Sequence, residues 1–319
     1  MTGTTQDKAV DASTEDIAVE VNDLRREFGD FVAVDNITLK VRRGEIFGFL
    51  GPNGAGKSTT IRMLCGLLLP TAGQGRVGGH DIISQTEAIK KQIGYMSQKF
   101  SLYDDLTVEE NINFFAGAYS VPLRKRKTRK EWVLEMAGIQ DRRDHLTMTL
   151  SGGLKQRLAL GCAILHEPPI IFLDEPTSGV DPVSRRNFWS LINDMSATGT
   201  TVFVTTHYMD EADYCDRLGL IYRGKIIADG TPTELRQTYM QRDVVEIEAD
   251  QFVAAMDLLD KKGIEAAIFG STLHATVERA PRMIPEMQKL LEASGIHVTR
   301  IEQIVPSLED VFVTLIEVS

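Results

Sequence analysis

From Ile17 to about Gln237, short apolar runs alternate with stretches in which apolar residues recur every three or four positions. The runs AVEVNDL (18–24), DNITLKV (35–41), EIFGFL (45–50), IIFLD (170–174) and TVFVTTH (201–207) predict strands. Positions 46–50, 170–173 and 202–204 are almost continuously apolar, as in strands buried on both faces of a parallel sheet. The helical patterns between them predict an α/β domain over 17–237. Between Leu106 and Gly161 the strand signal vanishes, and helical periodicity takes over around Trp132, Val133, Met136 and Ala137. That predicts a helical subdomain over about 100–161. It carries RKRKTRK (124–130), which reads as a solvated helix face; a contact with anionic lipid or an acidic partner is the lesser alternative.

The texture changes again near Asp243. Alternation returns in VVEIE (244–248) and LHATVE (273–278), with a further strand at IHVTRI (296–301). Helical stripes run through Phe252, Met256 and Leu259, through Met283, Met287 and Leu290, and through a last helix from near Ser307. The order βαββαβ-α predicts a small ferredoxin-like α+β domain over 243–319. It holds no chemical motif, and a structural or regulatory role is expected of it.

Composition narrows this only a little. The 319 residues suit two domains at roughly 150 residues each. A net charge of −10 argues against a general nucleic-acid binder. Cys65, Cys162 and Cys215 form no CxxC pair, so a disulfide framework or zinc site is not expected and a reducing compartment is. Residues 1–16 read as a polar, disordered tail and not a signal peptide. No run approaches the roughly 18 apolar residues a membrane helix needs. Any membrane role would be played from the cytoplasmic side, through a partner.

The chemistry begins after the strand at 45–50. The segment GPNGAGKST (Gly51, Pro52, Asn53, Gly54, Ala55, Gly56, Lys57, Ser58, Thr59) fits G-x-x-x-x-G-K-[ST] and opens a helical run. Its glycines let successive N–H groups face one anion, and the helix N-terminus adds its free donors and positive dipole end. Lys57 would neutralise the β- and γ-phosphates of ATP, and the Ser58 hydroxyl would ligate Mg²⁺. The strand IIFLD ends in Asp174 and Glu175, where ligands collect at a parallel sheet. Asp174 is the candidate for the Mg²⁺ shell and Glu175 for the general base that activates water. LSGGLKQR (150–157) places Ser151, Gly152 and Gly153 ahead of a second helix, and His207 ends the strand at 201–207.

Together, GPNGAGKST, LSGGLKQR, IFLDEP, SGVD and the His of VTTHYMDEAD resemble the nucleotide-binding subunit of an ABC transporter, over about residues 17 to 237. The resemblance implies a P-loop NTPase fold and further roles. Gln98 takes the place of the glutamine that senses Mg²⁺ and water and couples to the membrane subunit. Ser151, Gly152, Gly153 and Gln156 fall in the signature motif, which contacts the γ-phosphate held by the other subunit. Asp181 falls in the loop at the dimer interface, and His207 matches the switch histidine at the γ-phosphate. Phe28 stands where an aromatic ring stacks on adenine; the family more often has Tyr, and Phe keeps the π-face. Two copies are expected to close head to tail around two ATP molecules.

The segment EIFGFLGPNGAGKSTTIRMLCGLLLPTAG and the tail PSLEDVF (306–312) resemble the exporter branch typified by daunorubicin-resistance ATP-binding proteins. That implies an ATPase subunit at the cytoplasmic face of a prokaryotic-type membrane, driving efflux through a separate integral membrane permease. The alternative is a soluble ABC ATPase acting on nucleic acid or ribosomes. Neither the long coiled coil nor the doubled ATPase domain of such proteins is present, and no nucleic-acid partner is expected. The cargo is chosen by membrane helices this sequence does not contain.

Overall fold

The apolar runs become strands for the reason the pattern gives: every residue of Ile46–Leu50, Ile170–Asp174 and Thr201–Thr206 is buried. A computed structural model describes residues 16–99, 101–240 and 242–318. Residues 1–15 of the expected tail lie outside the described residues. The chain divides into two compact units, one up to Asp229 and one from Gly230.

The first unit runs β1 (Ile17–Phe28), β2 (Phe31–Arg42), β3 (Ile46–Leu50), α1 (Lys57–Leu64), β4 (Ala72–Val77), β5 (His80–Asp81), α2 (Thr86–Gln92) and β6 (Ile93–Met96). Then follow α3 (Val108–Ala118), α4 (Leu123–Ala137), α5 (Gly152–Ala163), β7 (Ile170–Asp174), α6 (Pro182–Ala197), β8 (Thr201–Thr206), β9 (Arg217–Tyr222) and β10 (Lys225–Gly230). One sheet has the order β2-β1-β4-β5 and pairs antiparallel. The other has the order β10-β9-β3-β8-β7-β6, in which β9, β3, β8, β7 and β6 are parallel. Ile61, Met63 and Leu64 of α1 share one core with Val19, Val21, Leu39 and Val41 of the first sheet and Phe47, Phe49, Phe172 and Phe203 of the second. Burying α1 on both sides fixes where its N-terminus points.

Strand register then assembles the site. Leu50 lies opposite Thr206, and Asp174 opposite Thr205. The residues that follow those strand ends (Gly51, Glu175 and His207) therefore emerge at one edge of the sheet, the ligand-collecting edge of a parallel α/β fold.

The helices α3, α4 and α5 stand between β6 and β7 and enclose a separate core around Ile112, Val133, Leu134, Leu158 and Leu165. The basic run lies on α4 as a solvated face, with Arg124, Lys125 and Lys127 exposed and Arg126, Arg129 and Lys130 half-buried, and it is laced with ion pairs. Lys125 and Arg129 pair with Glu167 at 3.0 and 3.4 Å, and Lys130 pairs with Glu109. Arg129 also donates to the carbonyls of Leu165 and Ile164, and Arg126 to that of Val121. Cys65, Cys162 and Cys215 are all buried and free, and burial pushes each thiol pKa up.

The second unit opens with α7 (Pro232–Tyr239), which the sequence reading grouped with the first domain. Thr231 and Glu234 form a capping box at its start. It packs on α10, inside this unit. Beyond it come β11 (Asp243–Ala249), α8 (Phe252–Asp260), β12 (Glu265–Phe269), β13 (Thr272–Val277), α9 (Ala280–Ala293), β14 (Val298–Ile304) and α10 (Leu308–Val318). The antiparallel order β12-β13-β11-β14 is the ferredoxin-like arrangement. Val245, Ile247, Leu259, Leu273, Met287 and Leu291 form its core. A buried charge cluster ties α10 to the sheet. His274 Nδ1 lies 2.7 Å from Asp310 Oδ1 and Nε2 lies 3.4 Å from Glu246 Oε2, with the imidazole stacked on Phe269. Asp310 also accepts from the backbone and hydroxyl of Ser307, within the PSLEDVF segment.

Among the described residues no helix is long and apolar enough to cross a membrane.

Candidate nucleotide site

Gly56 caps α1 with φ of +109°, and a β-carbon there would stand 2.5 Å from the carbonyl oxygen of Ala33. Only glycine lets the loop pass so close to β2 before turning into the helix. The turn is closed by Ala55 N–H donating to Pro52 O at 3.2 Å, while Asn53 and Gly54 are exposed at its tip. The first-turn N–H groups of α1, from Lys57 to Thr59, have no preceding helical carbonyl to bond and form the donor end of the cradle.

Lys57 is 3% exposed and folds back over the loop, donating to Gly51 O at 2.8 Å and Pro52 O at 3.1 Å. Its Nζ also pairs with Glu175 Oε1 at 3.0 Å. On the other oxygen of Glu175, Gln98 Nε2 donates at 3.0 Å, and His207 Nδ1 stands 3.3 Å away without hydrogen-bond alignment. Three side chains from three segments thus converge on one buried carboxylate. Glu175 has φ of +48°, an uncommon conformation for a residue with a side chain, held by its N–H donating to Thr205 O and Oγ1.

Beside it, Ser58 Oγ donates to Asp174 Oδ1 at 2.9 Å, and Thr205 Oγ1 donates to the same oxygen at 2.9 Å. Burial raises the Asp174 pKa, and the neighbouring Glu175 charge adds to that; the hydroxyl bonds from Thr205 and Ser58 pull the other way without cancelling it. A hydroxyl and a carboxylate side by side are hard oxygen donors, the type that holds a small divalent cation together with phosphate. Among the described residues no cluster of three His, Cys, Asp or Glu side chains forms a self-sufficient metal cage.

A second group of expected residues gathers elsewhere. Ser151 caps α5 and is exposed, as is Gly152. Gly153 is buried, and a β-carbon on it would meet Ser184 Oγ of α6 at 2.5 Å. Asp181 caps α6, accepting from the N–H groups of Val183 and Ser184 at 3.1 and 3.0 Å, which lowers its pKa. Gln156 is fully buried; its amide donates to Pro176 O at 2.7 Å and so braces the segment after Glu175. It does not share the exposed face of Ser151. Phe28 ends β1, 47% exposed, with the Arg26 guanidinium 4.5 Å over its ring. Among the described residues, neither Ser151 nor Phe28 has hydrogen-bond or ion-pair contact with the Lys57 group.

Thr205 is the site residue that the sequence reading passed over. It orders both Asp174 and the Glu175 backbone, and the TT pair before His207 was its only visible signal.

Comparison with known proteins places the chain in one family. Residues 34–178 match a family model described as ABC transporter, and residues 230–316 match one described as ATP-binding protein DrrA1-3-like, C-terminal domain. The chain is 53% identical over 227 residues to the probable multidrug ABC transporter ATP-binding protein YbhF of Escherichia coli. That match covers 71% of this chain but only 39% of the relative. It is 35% identical to the daunorubicin resistance ATP-binding protein DrrA3 of Streptomyces coeruleorubidus, over 94% of this chain and 96% of that one. Among solved structures, an ATP-binding subunit of an ABC transporter superposes with a TM-score of 0.64 at 30% identity, covering 70% of this chain and 93% of its own. A dimeric ATP-binding cassette in a post-hydrolysis state with ADP and Pi gives 0.61 at 27% identity, covering 67% and 98%.

Proposed function

This chain belongs to the ABC transporter ATP-binding proteins, in the branch that includes the daunorubicin-resistance subunits, and from that premise we propose that it hydrolyses ATP to drive export through a separate membrane permease. The observation that carries the reading is the convergence of Lys57, Gln98 and His207 on Glu175, at the sheet edge beside the phosphate loop.

The phosphates of ATP bind the loop from Gly51 to Thr59 and the N-terminus of α1, and Phe28 stacks on the adenine. Phosphate oxygens compete with Glu175 and the loop carbonyls for the Lys57 ammonium. Once Lys57 turns to the phosphates, Glu175 is released from its ion pair and can take a proton from the attacking water. Gln98 and His207, already at the second oxygen of Glu175, orient that water and the γ-phosphate. Ser58 and Asp174 would hold Mg²⁺, which would supply positive charge to offset that of the β- and γ-phosphates. Burial raises the Asp174 pKa, so a cation there also resolves a cost the fold has built in.

Ser151 and Gly152 lie exposed and apart from Lys57, which supports their completing the site of a second copy. Two copies then close around two nucleotides at the cytoplasmic face of the membrane. The relatives named above carry transporter and resistance names, and the nucleic-acid or ribosome alternative has no observation in its favour.

Glu175→Gln should lower ATP turnover on the order of 10²-fold or more and leave an ATP-bound dimer visible by size-exclusion chromatography. Wild-type turnover in that variant would remove Glu175 from the role. Affinity purification from membranes should recover an integral membrane protein; recovery of ribosomes or DNA alone would overturn the transport reading.

A further inference from the structure

The first turn of α6 touches the segments of two other site motifs. Ser184 packs against the signature glycine Gly153, and Asp181 caps the same turn. One residue further on, Arg185 leans over the Tyr208 ring at 4.6 Å, and that ring lies 4.1 Å from the imidazole of His207. Arg185 N–H donates to Asp181 O at 2.9 Å, so its backbone moves with the cap.

The guanidinium also faces a carboxylate in an unusual state. Glu211 is 2% exposed, and neither of its oxygens has a hydrogen-bond partner. Arg185 Nη1 is 3.9 Å from Glu211 Oε1 and 3.6 Å from the exposed Asp210 Oδ2, and it too makes no hydrogen bond. A buried carboxylate without donors is costly, and a tight pair with Arg185 would remove most of that cost. A cavity of about 360 Å³, whose lining includes Arg185, Arg186, Asp210, Glu211 and Tyr214, gives the guanidinium room to move. The pair is thus open by about an ångström beyond hydrogen-bond length, with space to close.

We propose that Arg185 is a positioning residue for ATP hydrolysis. Closing of the Arg185–Glu211 pair links displacement of the Asp181 end of α6 to the placement of His207. The inference rests on the role proposed above for His207. Any partner that presses on Asp181 and Ser151 shifts the first turn of α6, and Arg185 carries that shift to Tyr208 and the histidine beside it. A small error in placing a catalytic group costs up to about 10²-fold in rate, so the link is worth reading in kinetics.

The test is steady-state ATP turnover by the full chain. Arg185→Met should lower kcat about tenfold or more while the KM for ATP changes less than about twofold. Arg185→Lys, which keeps the charge but loses the planar face over Tyr208, should recover part of the loss. Glu211→Gln fills the same volume without the charge and should reproduce the kcat defect even if the Met variant folds poorly. In a His207→Ala background, Arg185→Met should add little further loss, because the two act in one chain. Multiplicative losses in that double variant, an unchanged kcat in both Arg185→Met and Glu211→Gln, or a matching rise in KM would each overturn the proposal. Full turnover in His207→Ala alone would remove its premise, whereas the Glu175→Gln result tests the nucleotide site independently.

Discussion

In the first unit, Asp174 and Glu175 are buried side by side at a strand end; in the second, Glu246 and Asp310 flank the imidazole of His274. The chemistry is similar but the bonding differs. Asp310 is closed within its own fold, with Ser307 and His274 occupying its oxygens. Burial works against the charged imidazole, yet the Asp310 bond and charge, with Glu246 behind, raise the His274 pKa. Against burial, the bonds from His274 and Ser307 hold the Asp310 carboxyl below its ordinary range. Asp174 shows the opposite balance: burial wins and its pKa rises. Glu175 sits in a left-handed backbone conformation beside it. On the function proposed above, the first cluster awaits a partner that arrives, whereas the second is satisfied within the chain. Buried charge marks a functional site when its own fold leaves it under-compensated.

The sharpest way to break this contrast is to open the closed cluster. Asp310→Ala leaves His274 with one distant carboxylate and should destabilise the second unit by about 3–5 kcal/mol. Hydrogen exchange should then show lost protection in β13 and α10 of the full chain; unchanged protection would mean the cluster holds nothing. Glu175→Gln is the counterpart. It keeps an amide oxygen for Lys57 and removes the like charge beside Asp174, so stability should move by no more than about 1 kcal/mol in a thermal melt although turnover collapses. A large loss of stability would mean the first cluster is structural as well.

A smaller effect is expected of the phosphate loop itself. Gly56→Ala must hold a side chain at positive φ against the Ala33 carbonyl and should cost about 1–3 kcal/mol. Nucleotide affinity measured by fluorescence titration should fall with it. If Ala were tolerated with full affinity, the close approach to β2 would not be what selects glycine here.

pH should separate the two units further. The raised His274 pKa means its contribution is complete below its ordinary value near 6.5 and is lost as pH climbs through the folded-state value. The lowered Asp310 pKa means its contribution is complete above its ordinary value near 3.8 and is lost as pH falls through the folded-state value. Protection of β13 and α10 should therefore be greatest between about pH 4 and 6.5 and weaken on the alkaline side. The smallest change belongs to Phe28. Replacing it with Ala should weaken ATP binding by about 0.5–1.5 kcal/mol, and Tyr should be nearly neutral.

Much of this was readable in the sequence because it depends on local chemistry. The runs at 46–50, 170–174 and 201–206 carry their burial in their composition, and GPNGAGKST, Asp174, Glu175 and His207 follow strand ends directly. Two strands carry that signal weakly. AGQGRV in β4 is Gly-rich and mostly exposed, and EAAIF in β12 shows no clean alternation. β4 is set by pairing with β1, distant in sequence, whereas β12 is an edge strand held by the hairpin to β13. The α4 basic run is the solvated face its composition predicts, but its ion pairs are not legible there, because Glu167 and Glu109 lie many residues away. Gln156 shares a motif with Ser151 but points inward, since the helical turn between them decides which faces the interior. The His274 cluster joins residues 246, 274 and 310, and no linear pattern connects them.

The three cysteines carry a practical consequence. Cys65, Cys162 and Cys215 all belong to the first unit, and each is a buried thiol whose pKa is pushed up. Thiolate is the reactive form, so the native chain should resist maleimide and dye reagents until that unit opens. The second unit carries no cysteine at all. Alkylation rate is therefore a clock for one half of the molecule, blind to the other. It reports when the first unit lets go under heat or denaturant without any engineered cysteine.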